Sequence, residues 1–82
     1  MPVTPEEVRK QVAGCFEIPP AEARNSLRFR EDLAADSIDM LALACGLETA
    51  FGTAISVHAL QRFRSVHDVV DYFSASRGGI WQ

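Results

Sequence analysis

Glu31-Asp32-Leu33-Ala34-Ala35-Asp36-Ser37-Ile38-Asp39-Met40 is the stretch on which the reading of this chain turns. It sets one serine between acidic residues, where an irregular polar segment gives way to an apolar helix. Asp36 reads as the N-cap of that helix and Asp39 as its third residue, so both carboxylates favour the positive end of the helix dipole. Backbone N–H groups at such a terminus also favour a phosphate, and a serine there is a natural attachment point for a phosphodiester. Taken alone, Asp36-Ser37 is first of all a plain helix cap. The rest of the sequence must decide.

Downstream, the helix is expected to run from about Ser37 to Phe51, with Gly52 just past its end. Its apolar residues form two rows. Met40, Leu43, Leu47 and Phe51 recur at the 3–4 spacing of a core-facing stripe. Ile38, Leu41 and Cys45 follow the same spacing about 60–100° round the helix. A helix apolar on two sides is either deeply buried or presents an interaction surface beside the serine.

Upstream, Thr4 caps a first helix, Pro5 suits its first position and Glu7 completes a Thr-x-x-Glu box. Val8, Val12 and Cys15/Phe16 make one apolar stripe. Pro19-Pro20 forbid continuation, so this helix should end between Gly14 and Glu17. Residues 17–36 show no period and read as a long connection, with Ile18, Leu27, Phe29 and Leu33 spaced to pin it to the core. So long a connection is uncommon unless functional or anchored. After the serine helix, a short third helix is expected over His58–Arg62, with Phe63 facing the core. A fourth is capped by Ser65 with Asp68 three residues on, and Val66, Val69, Val70 and Phe73 are its apolar face. Beyond Ser74 the chain should fray. No β-period or repeat is visible, so the fold expected is all-α: a small bundle of three longer helices and one short one.

Composition narrows the function. Eighty-two residues, 48% hydrophobic and 23% charged, make one domain with a small core. No apolar run is long enough to span a membrane, and residues 1–7 lack the features of a secretory signal, so membrane insertion is not expected and a cytoplasmic location is. A net charge of −3 without a basic stripe argues against nucleic acid. Cys15 and Cys45 can in principle pair, but two cysteines in a cytosolic chain more often serve as small apolar residues. His58 and His67 stand alone and no zinc-like spacing occurs, so no metal is expected. Ser37 has no evident base partner and no glycine-flanked elbow, and so small a core is a poor host for a preorganised cleft. No catalytic residue is assigned, and the chain is read as a non-enzyme.

The run Phe29-Arg30-Glu31-Asp32-Leu33-Ala34-Ala35-Asp36-Ser37-Ile38-Asp39-Met40-Leu41-Ala42-Leu43, with Leu47-Glu48, Phe51-Gly52, Ile55, Ser65-Val66 and Asp71-Tyr72-Phe73, resembles an acyl carrier protein over residues 4–74. A carrier domain over residues 1–76 is expected, with 77–82 as a flexible tail; a monomer is expected, and the capped ends suggest a free-standing domain. The resemblance implies that Ser37 carries 4′-phosphopantetheine, donated from coenzyme A by a phosphopantetheinyl transferase, and that the arm's thiol bears acyl groups as thioesters. The partners implied are that transferase and the acyl-loading and acyl-processing enzymes of fatty-acid, polyketide or related lipid and secondary-metabolite biosynthesis. Asp36, Asp39 and Glu48 would meet basic groups on these enzymes, and Ile38, Leu41 and Cys45 would form the apolar part of the docking face. Core packing stays the alternative for those three.

Two departures stand out. The family usually has Gly-x-Asp-Ser-Leu where this chain has Ala34-Ala35-Asp36-Ser37-Ile38, and alanine restricts backbone that glycine would permit. Ala42, Thr49, Ala50, Val57 and Ala59 also occupy places where the family is often acidic, so steering by a basic partner should be weak. Two other roles remain open: a carrier of aminoacyl or peptidyl groups, and an unmodified helical adaptor that binds through the serine helix.

Overall fold

Thr4 opens the first helix as its residue type predicts: its Oγ1 accepts the Glu7 N–H at 3.2 Å while Glu7 Oε1 accepts the Thr4 N–H at 3.0 Å. The computed structural model describes residues 3–77, and in it this helix, α1, spans Pro5–Phe16. Val8, Val12 and Ala13 are buried along its inner face. It ends with Glu17 in the left-handed region (φ 55°), the Ile18 N–H donating back to Ala13 O at 3.0 Å and the Glu17 N–H to Gly14 O at 3.4 Å. That is a Schellman closure with glutamate where glycine is favoured.

The segment 17–36 is more ordered than its sequence suggests. It holds a single 3₁₀ turn at Pro20–Glu22 and a short helix, α2, at Phe29–Leu33. The expectation of a long connection without a helix of its own is therefore corrected, and the bundle has three long helices and two short ones among the described residues. Helix α2 forms because both of its ends are tied. The Arg28 N–H donates to Asp32 Oδ2 at 2.8 Å, the Phe29 N–H to Arg64 O at 2.9 Å, and the Ala35 N–H back to Phe29 O at 3.0 Å. Leu27 and Phe29 are buried, with Ile18 and Leu33 packed at the core's edge, so the four expected anchors do hold the segment down. Phe16 stacks on Phe29 with centroids 5.6 Å apart.

Helix α3 spans Ser37–Phe51 and ends on Gly52 (φ 63°), as expected. Met40, Leu43, Ala44 and Leu47 are its buried residues. It packs on α1 so closely at Gly46 that a Cβ there would lie 2.7 Å from Cys15 Sγ. Helix α4 spans Val57–Gln61, one residue earlier than expected, because Ser56 Oγ accepts the Ala59 N–H and caps it. Helix α5 spans Val66–Arg77, with Val66, Val69, Val70 and Phe73 buried. Its start differs in detail from the expected cap. Asp68 Oδ2 accepts the N–H groups of Arg64 and Ser65, whereas the Ser65 hydroxyl takes only a long 3.4 Å contact with the same oxygen. The helix continues past Ser74 to Arg77, and the remainder of the expected tail, 78–82, lies outside the described residues.

An isolated bridge between Arg28 and Ser65 joins the two connections, with the Val66 N–H donating to Leu27 O at 3.0 Å. Phe51 meets Phe73 edge-on at 5.1 Å, and Tyr72 Oη donates to Ala54 O at 3.3 Å. The Ala35–Ser37 approach is thereby fixed from two sides, by α2 and by the chain entering α5.

Candidate functional site

Ser37 is the first residue of α3 and is exposed. The cap around it is closed by its neighbours. Asp36 Oδ1 accepts the Asp39 N–H at 2.9 Å, and Asp39 Oδ2 accepts the Asp36 N–H at 3.1 Å. The Met40 N–H goes to Asp36 O. Helix geometry leaves the N–H groups of Ser37 and Ile38 without intrahelical acceptors. The Ser37 hydroxyl takes part in none of these bonds, so it is free to be esterified. A phosphate on its oxygen would meet the unpaired N–H groups and the positive end of a four-turn helix. The residues present therefore fit a phosphodiester-linked group.

The serine opens onto a groove of about 640 Å³ between α2, α3 and α4. Met40 and Phe63 lie buried beneath it, and Leu41, Val57 and Leu60 add apolar wall; Arg30, Glu31, Gln61 and Arg64 are its polar lining. Ile38 and Leu41 are 75% and 54% exposed, and Cys45 is exposed on the same row. Core packing is thus excluded for all three. Val57, 65% exposed, extends this apolar surface onto α4. The sequence reading names Val57 only as a non-acidic residue where the family is often acidic, and gives it no docking role; its apolarity at an exposed helix start was the signal.

The other candidates separate. Asp36 and Asp39 are exposed beside Ser37, each engaged with the other's backbone. Glu48 is about three turns beyond Ser37 and half-buried, its Oε2 accepting the Ile55 N–H at 2.7 Å. It braces the 52–55 loop, and its carboxylate is not grouped with the exposed row. Asp32, at the foot of α2, is held below its usual carboxylate range, first by the Arg28 N–H and then by the Arg28 side chain and the charges of Arg28 and Arg24. Burial raises the Cys15 thiol against a smaller opposing bond from Gln11. Cys15 and Cys45 are both free thiols.

Among the described residues, no group of three His, Cys, Asp or Glu side chains is placed to hold a metal. None of the described helices is long and apolar enough to cross a membrane.

Residues 6–73 match the family described as the phosphopantetheine attachment site. Among solved structures, the chain is similar to an acyl carrier protein from Enterococcus faecalis, at 32% identity and a TM-score of 0.71, covering 89% of this chain and 98% of that one. A helical bundle, a match over nearly the whole domain and a serine-headed helix converge: the chain belongs to the acyl carrier protein family, as a carrier domain rather than an enzyme, with 4′-phosphopantetheine as its prosthetic group.

Proposed function

We propose that Ser37 is the attachment residue and that the chain shuttles acyl thioesters among cytoplasmic enzymes of lipid or secondary-metabolite biosynthesis. One observation carries this reading: Ser37 is exposed at the head of a helix whose cap is completed by Asp36 and Asp39, beside a groove with an apolar floor. On a transferase, the Ser37 oxygen attacks the β-phosphorus of coenzyme A. The bond to the adenosine bisphosphate leaving group breaks, and the hydroxyl proton passes to a base of the transferase. The chain itself then does no bond chemistry. The groove beneath Ser37 offers shelter to a methylene chain, since Met40, Leu41, Val57, Leu60 and Phe63 present hydrocarbon to it.

Ile38, Leu41 and Cys45, joined by Val57, form the docking surface. Asp36 and Asp39 supply its negative edge next to Ser37, and the partner meets mostly hydrocarbon beyond the first turn of α3. The Ala-Asp-Ser sequence favours acyl over aminoacyl cargo.

The test is intact mass after incubation with coenzyme A, Mg²⁺ and a broad-specificity phosphopantetheinyl transferase, with Ser37→Ala alongside. A single adduct on the wild type and none on a folded Ser37→Ala protein is expected. A folded wild type that several transferases leave unmodified would sink the carrier reading and favour an adaptor working through the exposed α3 row.

A further inference from the structure

The groove beside Ser37 carries a charge pattern that a hydrocarbon chain does not explain. Arg30 and Arg64 both line it, against the single carboxylate of Glu31. Among the described residues the ion pairs are Arg28 with Asp32 and His67 with Asp71, so neither Arg30 nor Arg64 is neutralised by a partner within 4 Å. Their neighbour Arg28, by contrast, is occupied. The backbone fixes both arginines near the serine. The Phe29 N–H donates to Arg64 O, the Ala34 N–H to Arg30 O, and the Ala35 N–H to Phe29 O, which ties both residues to the approach to Ser37. Two guanidinium groups lining one groove, neither with an ion-pair partner among the described residues, select an anion with several acceptor oxygens.

We propose that Arg30 and Arg64 hold the phosphodiester of the arm and so set its root over the groove. This rests on the assignment of Ser37 as the attachment residue. Such a phosphodiester carries one negative charge, and its position is fixed by the bond to the oxygen of Ser37, which lines the same groove as these arginines. Held there, the arm leaves Ser37 toward Leu60 and Val57 rather than toward solvent, and its thioester is laid along the apolar wall. Arg30 and Arg64 are positioning residues: they touch the arm, not the thioester.

The test compares melting temperatures of the apo and phosphopantetheinylated forms of the wild type and of Arg30→Gln/Arg64→Gln. Both positions are exposed, so the apo variant should melt as the wild type does. In low salt, modification should raise the wild-type melting temperature by about 2–4 °C, from two exposed charge contacts on a domain of this size. In the double variant that increment should fall to half or less, and added salt should erase most of it in the wild type. An increment that is the same in both proteins, or unaffected by salt in the wild type, overturns the proposal. If mass spectrometry shows no adduct on the wild type, it is the Ser37 assignment that fails, and this proposal with it. An adduct with an unchanged increment removes the arginine role alone.

Discussion

Ala34 sits at φ 54°, ψ 37°, the left-handed conformation that closes α2, at the position where the family usually has glycine. Ala34→Gly should therefore stabilise the protein. An L-residue in that region costs about 1–2 kcal/mol, while glycine's extra freedom in the unfolded chain returns about 0.4–1 kcal/mol of that gain. Ala34 is exposed, so losing its methyl removes no core contact. The net expectation is about 0.5–1 kcal/mol of added stability, or a rise of about 2–8 °C in Tm. Its neighbour supplies the control. Ala35 is only 6% exposed and does not have a positive φ. Ala35→Gly should cost about 1–2 kcal/mol, from a buried methyl plus unfolded-state entropy. The assay is thermal and urea denaturation of the three proteins, followed by circular dichroism. Opposite signs at adjacent positions are the signature of the argument. Ala34→Gly that is neutral, or as damaging as Ala35→Gly, would refute it.

Other substitutions probe other parts of the structure. A Cβ at Gly14 meets nothing within 4 Å, so Gly14→Ala should add about 0.5–1 kcal/mol through helix propensity. Gly46→Ala should lose that gain to the 2.7 Å approach of Cys15 Sγ, and recover it in a Cys15→Ala background; additive effects in that double-mutant cycle would contradict the close packing of α1 on α3. Cys45 should react with a thiol reagent well before Cys15, whose thiol is half-buried and pushed up by that burial; equal rates would contradict the burial of Cys15. Asp32→Ala should lower Tm near neutrality. The wild-type advantage should be present above the ordinary carboxylate value of 3.8 and vanish as pH falls through the lower folded-state value, which parallel melts of both proteins across that range would show.

The long helices were legible because their signals are local. Thr4 with Glu7, and Asp36 with Asp39, are boxes readable at three-residue spacing, and both close in the structure as written. The two rows of α3 were also readable, and Met40, Leu43 and Leu47 are buried as the core-facing stripe they spell, though only the folded chain decides that Ile38 and Leu41 face out. Helix α2 was not legible for a physical reason. Five residues span less than one apolar repeat, and its N-terminus is tied to Arg64, more than thirty positions away in sequence. Glu48 was grouped with the docking residues by resemblance, while its partner, the Ile55 N–H, belongs to a loop with no sequence signal for that bond. The groove and its arginines were invisible for the same reason: Arg30 and Arg64 lie far apart in sequence, and only the fold brings both to the lining of one groove.

The cap at the head of α3 divides two tasks between adjacent residues. Serine and aspartate are comparable N-caps, and a chain in which the serine itself closed the helix would lose that oxygen's role on esterification. Here the carboxylates of Asp36 and Asp39 complete the box and Ser37 contributes only backbone to it. The cap is consequently complete whether or not Ser37 carries an arm. The bare chain needs no arm to be a finished substrate for a transferase, and removal of the arm by a hydrolase would return the same helix. A protein built this way can be stripped and recharged many times without passing through a less ordered state.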